Sequence, residues 1–218
     1  MLDEKFKILL VDDHPLVREW LASLINQQPD LIVSGEAESA GEALSYLGKH
    51  LPDLAIIDLS LKESSGLELI KTIRSAYPGV AIIVLSMHDE KHYAERAIRA
   101  GARGYVMKRE TTKKIIAAIN QVRGGKLGVS DEVSTLFAER FVHNRPRSGT
   151  PVEELSDREL EVFRLLGQGL DTRSVANTLH ISIKTVQAYC ARIKDKLKLA
   201  NATELLREAV RWSDSNAI

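Results

Sequence analysis

Two aspartates in tandem, Asp12 and Asp13, close the apolar run Ile8-Leu9-Leu10-Val11, and a lone Asp58 closes a second run, Leu54-Ala55-Ile56-Ile57. Apolar runs this short and unbroken predict strands of a parallel sheet buried on both faces, whose last residues share one rim. In open α/β sheets that rim, at the carboxyl ends of the strands, is where ligands bind. Three carboxylates gathered there repel one another unless a cation joins them. The arrangement implies a hard ion with oxygen ligands, such as Mg2+.

Bringing the three together requires a particular order of elements. Apolar runs at 8–11, 32–34, 54–57, 80–85 and 105–107 alternate with amphipathic stretches, which is the signature of βαβ units. Pro15 opens the first helix, with Val17, Leu21 and Leu24 or Ile25 turned inward. Ser39 and Glu42 form a capping box for the second. Gly66 precedes the third, Tyr93, Ala97 and Ile98 mark the fourth, and Thr111 or Thr112 starts the fifth, which ends at Gly124-Gly125. Five strands and five helices in alternation predict a doubly wound, flavodoxin-like sheet of order 2-1-3-4-5. In that order strands one and three are neighbours, so Asp12, Asp13 and Asp58 meet, and the same rim receives Ser86 and Lys108.

Composition narrows the class without naming a partner. The 218 residues carry 30 basic and 30 acidic side chains, so any attraction to nucleic acid must come from a local patch. The length predicts two cores. Cys190 is the only cysteine, which excludes an intramolecular disulfide and fits a reducing compartment. No apolar stretch approaches the roughly 20 residues of a membrane span. We expect a cytoplasmic protein.

The first half resembles the receiver domain of bacterial two-component response regulators. The resemblance rests on Asp12-Asp13, Asp58, Gly66, Ser86, and Tyr105 ahead of Lys108, and covers about residues 5 to 125. It implies that Asp58 accepts a phosphoryl group from a sensor histidine kinase. Asp13, Asp58 and the main-chain carbonyl of Ser60 would ligate Mg2+, with Asp12 helping through water. Lys108 would pair with the phosphoryl oxygens, while Ser86 and Tyr105 would report their arrival. The physics is consistent: phosphoryl transfer asks mainly for positioning and charge neutralisation. The family's proline four places after the phosphoacceptor is Lys62 here, and the proline after the lysine is Arg109. Nearby, His88 and His92 have a spacing that could hold Zn2+, but no third ligand is evident, so both read as solvated surface, and His14 as a loop residue beside the acidic pair.

Regularity fades from Leu127 to Pro151, with some helical spacing in Val133, Leu136, Phe137 and Phe141. Beyond it the text is helical. Leu155, Ser156, Glu159 and Leu160 combine a capping box with a hydrophobic staple. A short helix through Val175, Ala176 and Leu179 leads to a turn, and Ser182 caps a third helix with the inward stripe Val186, Cys190, Ile193 and Leu197. A fourth follows from Asn201. This is a helix-turn-helix. Lys184, Arg192, Lys194, Lys196 and Lys198 stand against only Asp195 along the third helix, the stripe that phosphate contacts need.

The segment from 153 to about 212 resembles the LuxR-type helix-turn-helix, the output domain of the NarL/FixJ class. The matching residues are Leu155-Ser156, Arg158-Glu159, Gly169, Ala176, Leu179, Ile181-Ser182, Thr185-Val186, Ile193 and Lys196-Leu197. The resemblance implies a third helix in the major groove of double-stranded promoter DNA, with Lys184 and Thr185 on phosphates. Gln187, Ala188 and Ala191 would face base edges, flanked by Arg192 and Lys194. Gln187 stands where many members have lysine, Tyr189 where many have histidine and Ser174 where many have glutamate; glutamine suits adenine.

Together the halves predict a receiver domain at 1–127, a linker at 128–152 and a DNA-binding domain at 153–218. Phosphorylation of Asp58 would switch a transcription regulator that acts as a homodimer on DNA, without membrane association and without enzymatic activity beyond taking and losing its own phosphoryl group. Two alternatives stay open. One is a regulator controlled by a protein or small ligand instead of phosphate. The other is a phosphatase or phosphotransferase acting through Asp58, which would need a general acid where the chain has Ser60.

Overall fold

The computed structural model describes residues 5–61, 65–142 and 151–215. Contacts within the chain divide it into two units, 1–142 and 143–218, each with its own core.

In the first unit the five apolar runs become parallel strands β1 (Phe6–Val11), β2 (Leu31–Ala37), β3 (Leu54–Ile57), β4 (Ala81–Ser86) and β5 (Gly104–Met107). Their order is β2-β1-β3-β4-β5, as the sequence predicts. Every residue of β3 and β5 is buried, because helices cover both faces of the sheet. Those helices are α1 (Pro15–Asn26), α2 (Ala40–Leu47), α3 (Gly66–Ala76), α4 (Glu90–Ala100) and α5 (Thr112–Arg123). One core layer sets Ile8, Leu10, Leu54, Ile56, Ile83 and Leu85 of the sheet against α1 and α5.

Two local readings change. β2 runs three residues past its apolar signal, because hydrogen bonding to β1 carries Gly35, Glu36 and Ala37 into the sheet after a register shift between Ile8 and Leu9. Gly35 is required there: a Cβ would lie 2.4 Å from the Tyr46 ring, whose hydroxyl donates to the Ser34 carbonyl at 2.7 Å. At α2, Ser39 accepts from the Glu42 amide, but the Glu42 carboxylate accepts from Glu38, one residue earlier than a capping box closes.

After α5 the chain pairs Gly128 with Gly104 along the edge of β5 and enters α6 (Asp131–Val142). Part of the segment read as linker therefore belongs with the first unit. Two things hold it: Val133 is buried, and the Ser130 hydroxyl donates to Glu90 at 2.8 Å. Residues 144–150, the rest of that segment's polar stretch, lie outside the described residues, as does Lys62.

The second unit begins with a 3-10 turn, Pro151–Glu154, and continues through α7 (Asp157–Gly167), α8 (Thr172–Thr178), α9 (Ile183–Leu197) and α10 (Ala202–Ser215). The capping box of Ser156 and Glu159 forms in full, and Leu155 and Leu160 are both buried beneath it. Phe163, Val175, Val186, Ile193 and Ala209 are wholly buried and make the core. α7 approaches α10 so closely that a Cβ on Gly167 would lie 2.4 Å from the Ala209 carbonyl oxygen. Cys190 and Leu197 are only half-buried, so the inward stripe of α9 is narrower than its sequence spacing suggests. The cause is the 3.6-residue period, which returns to one line at Val186 and Ile193 but leaves Cys190 to the side.

Candidate functional site

The rim of the first unit is built by strand register. β1 and β3 pair Val11 with Ile57, so the next residues of both strands emerge side by side, and the Asp58 amide donates to the Val11 carbonyl at 2.8 Å. β4 and β5 end likewise, with the Lys108 amide donating to the Ser86 carbonyl at 2.8 Å. Asp12, Asp13 and Asp58 are buried, and with His14 they offer ligand atoms that all lie within 4.8 Å of one another.

Lys108 ties this cluster together. Its Nζ lies 2.7 Å from Asp58 Oδ2 and 2.6 Å from Asp12 Oδ2. Burial pushes the Asp58 carboxyl above the usual carboxylate range; Lys108 opposes the rise and the neighbouring Asp12 adds to it. Burial works against the Lys108 ammonium, yet Asp58 and Asp12 raise its pKa overall. His14 Nδ1 approaches Asp13 at 2.8 Å and Asp12 at 3.2 Å from the solvent side.

The donor set suits a hard divalent cation. Three carboxyl groups face one ammonium group, an excess of negative charge that a bound divalent cation would balance, and oxygen donors are what Mg2+ takes. The close approach of α3 shapes the same pocket: a Cβ on Gly66 would lie 2.3 Å from the Asp58 carbonyl oxygen.

Next to the carboxylates lies a polar chain that ends in a buried tyrosine. The Ser60 amide donates to Asp58 Oδ1 at 3.2 Å, and its hydroxyl meets His88 Nε2 at 3.0 Å. His88 stacks on Tyr93 with ring centroids 4.6 Å apart. The Tyr105 ring is inside the unit, and its hydroxyl donates to the His88 carbonyl at 2.9 Å. Burial holds that hydroxyl well above its usual pKa, so it stays a donor. Ser86 is wholly buried beside it, accepting from the His88 amide at 3.2 Å.

His88 is thus the residue that sequence reasoning misplaced. It is buried, not solvated, because Ser60 on one side and Tyr93 on the other enclose it. Sequence spacing alone has no signal for a partner 28 residues away. The side chain of His92 lies outside the described residues.

In the second unit, α9 is capped by Ser182, whose hydroxyl accepts from the Thr185 amide at 3.1 Å and meets Thr185 Oγ1 at 2.8 Å. Lys184, Gln187, Ala188, Ala191 and Arg192 are exposed; Thr185 and Lys194 are half-buried. Arg192 lies over the Tyr189 ring, 5.7 Å from its centroid. Lys196 departs from the expected stripe. Its Nζ is bound to Glu159 at 2.7 Å and to the Glu154 carbonyl at 3.2 Å, so it braces α9 against α7.

Comparison with known proteins agrees with both geometries. Residues 8–120 match the response regulator receiver domain, and residues 153–209 match the bacterial regulatory proteins of the luxR family. The chain belongs to the two-component response regulators that carry a LuxR-type DNA-binding domain, and it is a phospho-regulated transcription regulator.

Among curated relatives, the oxygen regulatory protein NreC of Staphylococcus haemolyticus (strain JCSC1435) is 32% identical over 210 residues, covering 94% of this chain and 97% of that protein. NreC of Staphylococcus carnosus (strain TM300) matches to the same extent. Among solved structures, RcsB from Salmonella enterica serovar Typhimurium, bound to promoter rprA in the presence of the phosphomimetic BeF3-, is 26% identical with a TM-score of 0.65. It covers 94% of this chain and 98% of its own. A LuxR-family response regulator from Aurantimonas sp. SI85-9A1 is 34% identical with a TM-score of 0.58, covering 64% of this chain and 99% of its own. No described helix is long and apolar enough to cross a membrane.

Proposed function

We propose that Asp58 is the phosphoacceptor and that its phosphorylation by a sensor histidine kinase controls binding of the second unit to promoter DNA. The observation that carries this reading is the pair of salt bridges from Lys108 to Asp58 and Asp12, which presents one fixed cation to whatever negative group arrives at Asp58. Asp12, Asp13, Asp58 and the Ser60 main-chain carbonyl would hold Mg2+, which when bound supplies the charge that neutralises transferring phosphoryl oxygens.

The chain's own residues do the rest. The Asp58 carboxylate attacks phosphorus, the bond from phosphorus to the donor imidazole breaks, and an acyl phosphate forms. Lys108 then moves its bond from carboxylate to phosphoryl oxygen. Ser86 hydrogen-bonds the added oxygens and carries their arrival to the Tyr105 hydroxyl beside it. Tyr105 is already turned inward, so phosphorylation acts by holding an arrangement the unmodified chain also adopts.

For the output we propose that Lys184, Thr185, Arg192 and Lys194 meet phosphates while Gln187, Ala188 and Ala191 face bases. RcsB has been solved as dimers bound to DNA, which supports a homodimer here. The proposed domains are 1–127 for the receiver, 128–152 for the connection, whose first part through α6 packs on the receiver, and 153–218 for the DNA reader. The protein works in the cytoplasm and turns over no external substrate.

Incubation with a small acyl phosphate and Mg2+, followed by intact mass measurement, tests the assignment. Wild type should gain one phosphoryl group and Asp58→Asn none, and promoter binding should tighten only in the protein that gained it. A phosphoryl group on Asp58→Asn, or equal DNA binding by both proteins with and without donor, would overturn it.

A further inference from the structure

The buried line of α9 fixes which residues can look outward. Val186 and Ile193 are wholly buried, so at 100° per residue the opposite face is Lys184, Ala188, Ala191 and Asp195. Gln187 flanks that face on one side and Arg192 on the other. Ala188 and Ala191 are too small to hold the helix away from a surface it approaches. Among the described residues the Gln187 side chain makes no hydrogen bond, so its amide oxygen and nitrogen are both available.

The charged residues around this face are disposed differently. Lys196 is spent on Glu159. Arg192 is held over the Tyr189 ring and so is drawn to the flank, where phosphates pass. Asp195 closes the outer face toward the C-terminus and repels phosphate, which confines base contact to the first turns. Between Lys184, which opens the face where the helix meets phosphate, and Asp195, which closes it, lie two methyl groups with the Gln187 amide at their edge.

An amide that offers a donor and an acceptor side by side matches adenine N6 and N7, and a methyl surface matches the C5-methyl of thymine. We propose that Gln187 reads an adenine while Ala188 and Ala191 pack on a neighbouring thymine methyl, so that each half-site carries an A·T core. Guanine presents two acceptors in the same groove and satisfies only half of the amide. Tyr189 is a positioning residue that keeps Arg192 off the base edges. This inference rests on reading α9 as the helix that enters the groove.

The test uses the full chain after treatment with acyl phosphate and Mg2+. Duplexes selected from a random library should share an A·T pair at one position per half-site. Replacing that adenine by 7-deazaadenine, which lacks only N7, should weaken binding at least about five-fold, and so should replacing the neighbouring thymine by uracil. In Gln187→Ala the 7-deazaadenine penalty should vanish while the slope of binding against salt is unchanged, since phosphate contacts remain. Gln187→Lys should move the preference to guanine. Tyr189→Ala should relax selectivity with Gln187 intact.

A guanine selected by wild type at that position, or a 7-deazaadenine penalty that survives in Gln187→Ala, overturns the inference and leaves DNA binding standing. Failure of wild type to bind any duplex at any salt concentration overturns the parent reading as well.

Discussion

Lys108 Nζ stands 2.7 Å from Asp58 Oδ2, although the two residues are 50 positions apart in the chain. The contact exists because β3 and β5 flank β4, and all three strands end at one rim. Burial works against the ammonium, but the carboxylates it joins raise its pKa above the ordinary value, so it is charged at neutral pH. Preorganised charge of this kind acts on the transition state without reorganisation cost. Lys108→Gln should therefore slow phosphoryl transfer to Asp58 about a hundred-fold, measured by mass against time with a fixed acyl phosphate; an unchanged rate would remove Lys108 from the chemistry.

Ser86 and Tyr105 should separate phosphorylation from response. Tyr105→Phe removes the hydroxyl bonded to the His88 carbonyl and keeps the buried ring. We expect it to accept phosphate at the wild-type rate and to show less tightening of promoter binding, as read by mobility shift. Ser86→Ala should behave in the same way. Full tightening in both would exclude them as the switch.

Gly66→Ala places a methyl carbon 2.3 Å from the Asp58 carbonyl oxygen, a backbone atom that cannot turn aside. The strand end or the start of α3 must move. The expected cost is about 2 kcal/mol, read by urea unfolding of the first unit, together with slower phosphorylation because Asp58 shifts with its backbone. Wild-type stability would show that α3 approaches less closely than this.

Addition of Mg2+ should raise the thermal midpoint of the wild-type chain, because a ligand at free concentration L that binds only the folded state stabilises it by RT ln(1 + L/Kd). Asp13→Asn should blunt the rise and a chelator should reverse it. A midpoint indifferent to Mg2+ would argue that the acidic cluster holds no cation.

The pair of Glu159 and Lys196 carries a pH dependence. Burial works to raise the Glu159 pKa, but Lys196 and Ser156 outweigh it and hold the carboxyl below its ordinary value of 4.5. An acid whose folded pKa is depressed contributes stability above its unfolded pKa and loses it as pH falls through the folded one. Lys196→Met should cost about 1 kcal/mol at neutral pH, a figure kept small because the lysine is partly exposed. The gap from wild type should close as pH falls below 4.5 and through the depressed pKa of Glu159. Fluorescence of Trp212, which packs on Phe163 with ring centroids 5.9 Å apart, reports this unit once Trp20 is replaced by Phe. A gap constant with pH would mean that Lys196 acts through packing alone.

Much of this molecule was legible in the order of its residues. The runs ending in Asp12-Asp13 and Asp58 marked both strands and the rim, since unbroken apolar segments in alternation with amphipathic ones leave a parallel sheet as the way to bury them. Ser156 with Glu159, and Ser182 by itself, announced two helix starts, because a cap bonds to backbone within three residues of it. Tertiary structure alone decided the partners of His88, the bracing role of Lys196, the length of β2 and the attachment of α6 to the first unit. Each of these depends on a group remote in sequence: Ser60 for His88, Glu159 for Lys196, the β1 edge for β2, and Glu90 for Ser130. Local periodicity records which face of an element is apolar. Which polar groups meet across elements depends on how the elements pack, and that information has no period to read.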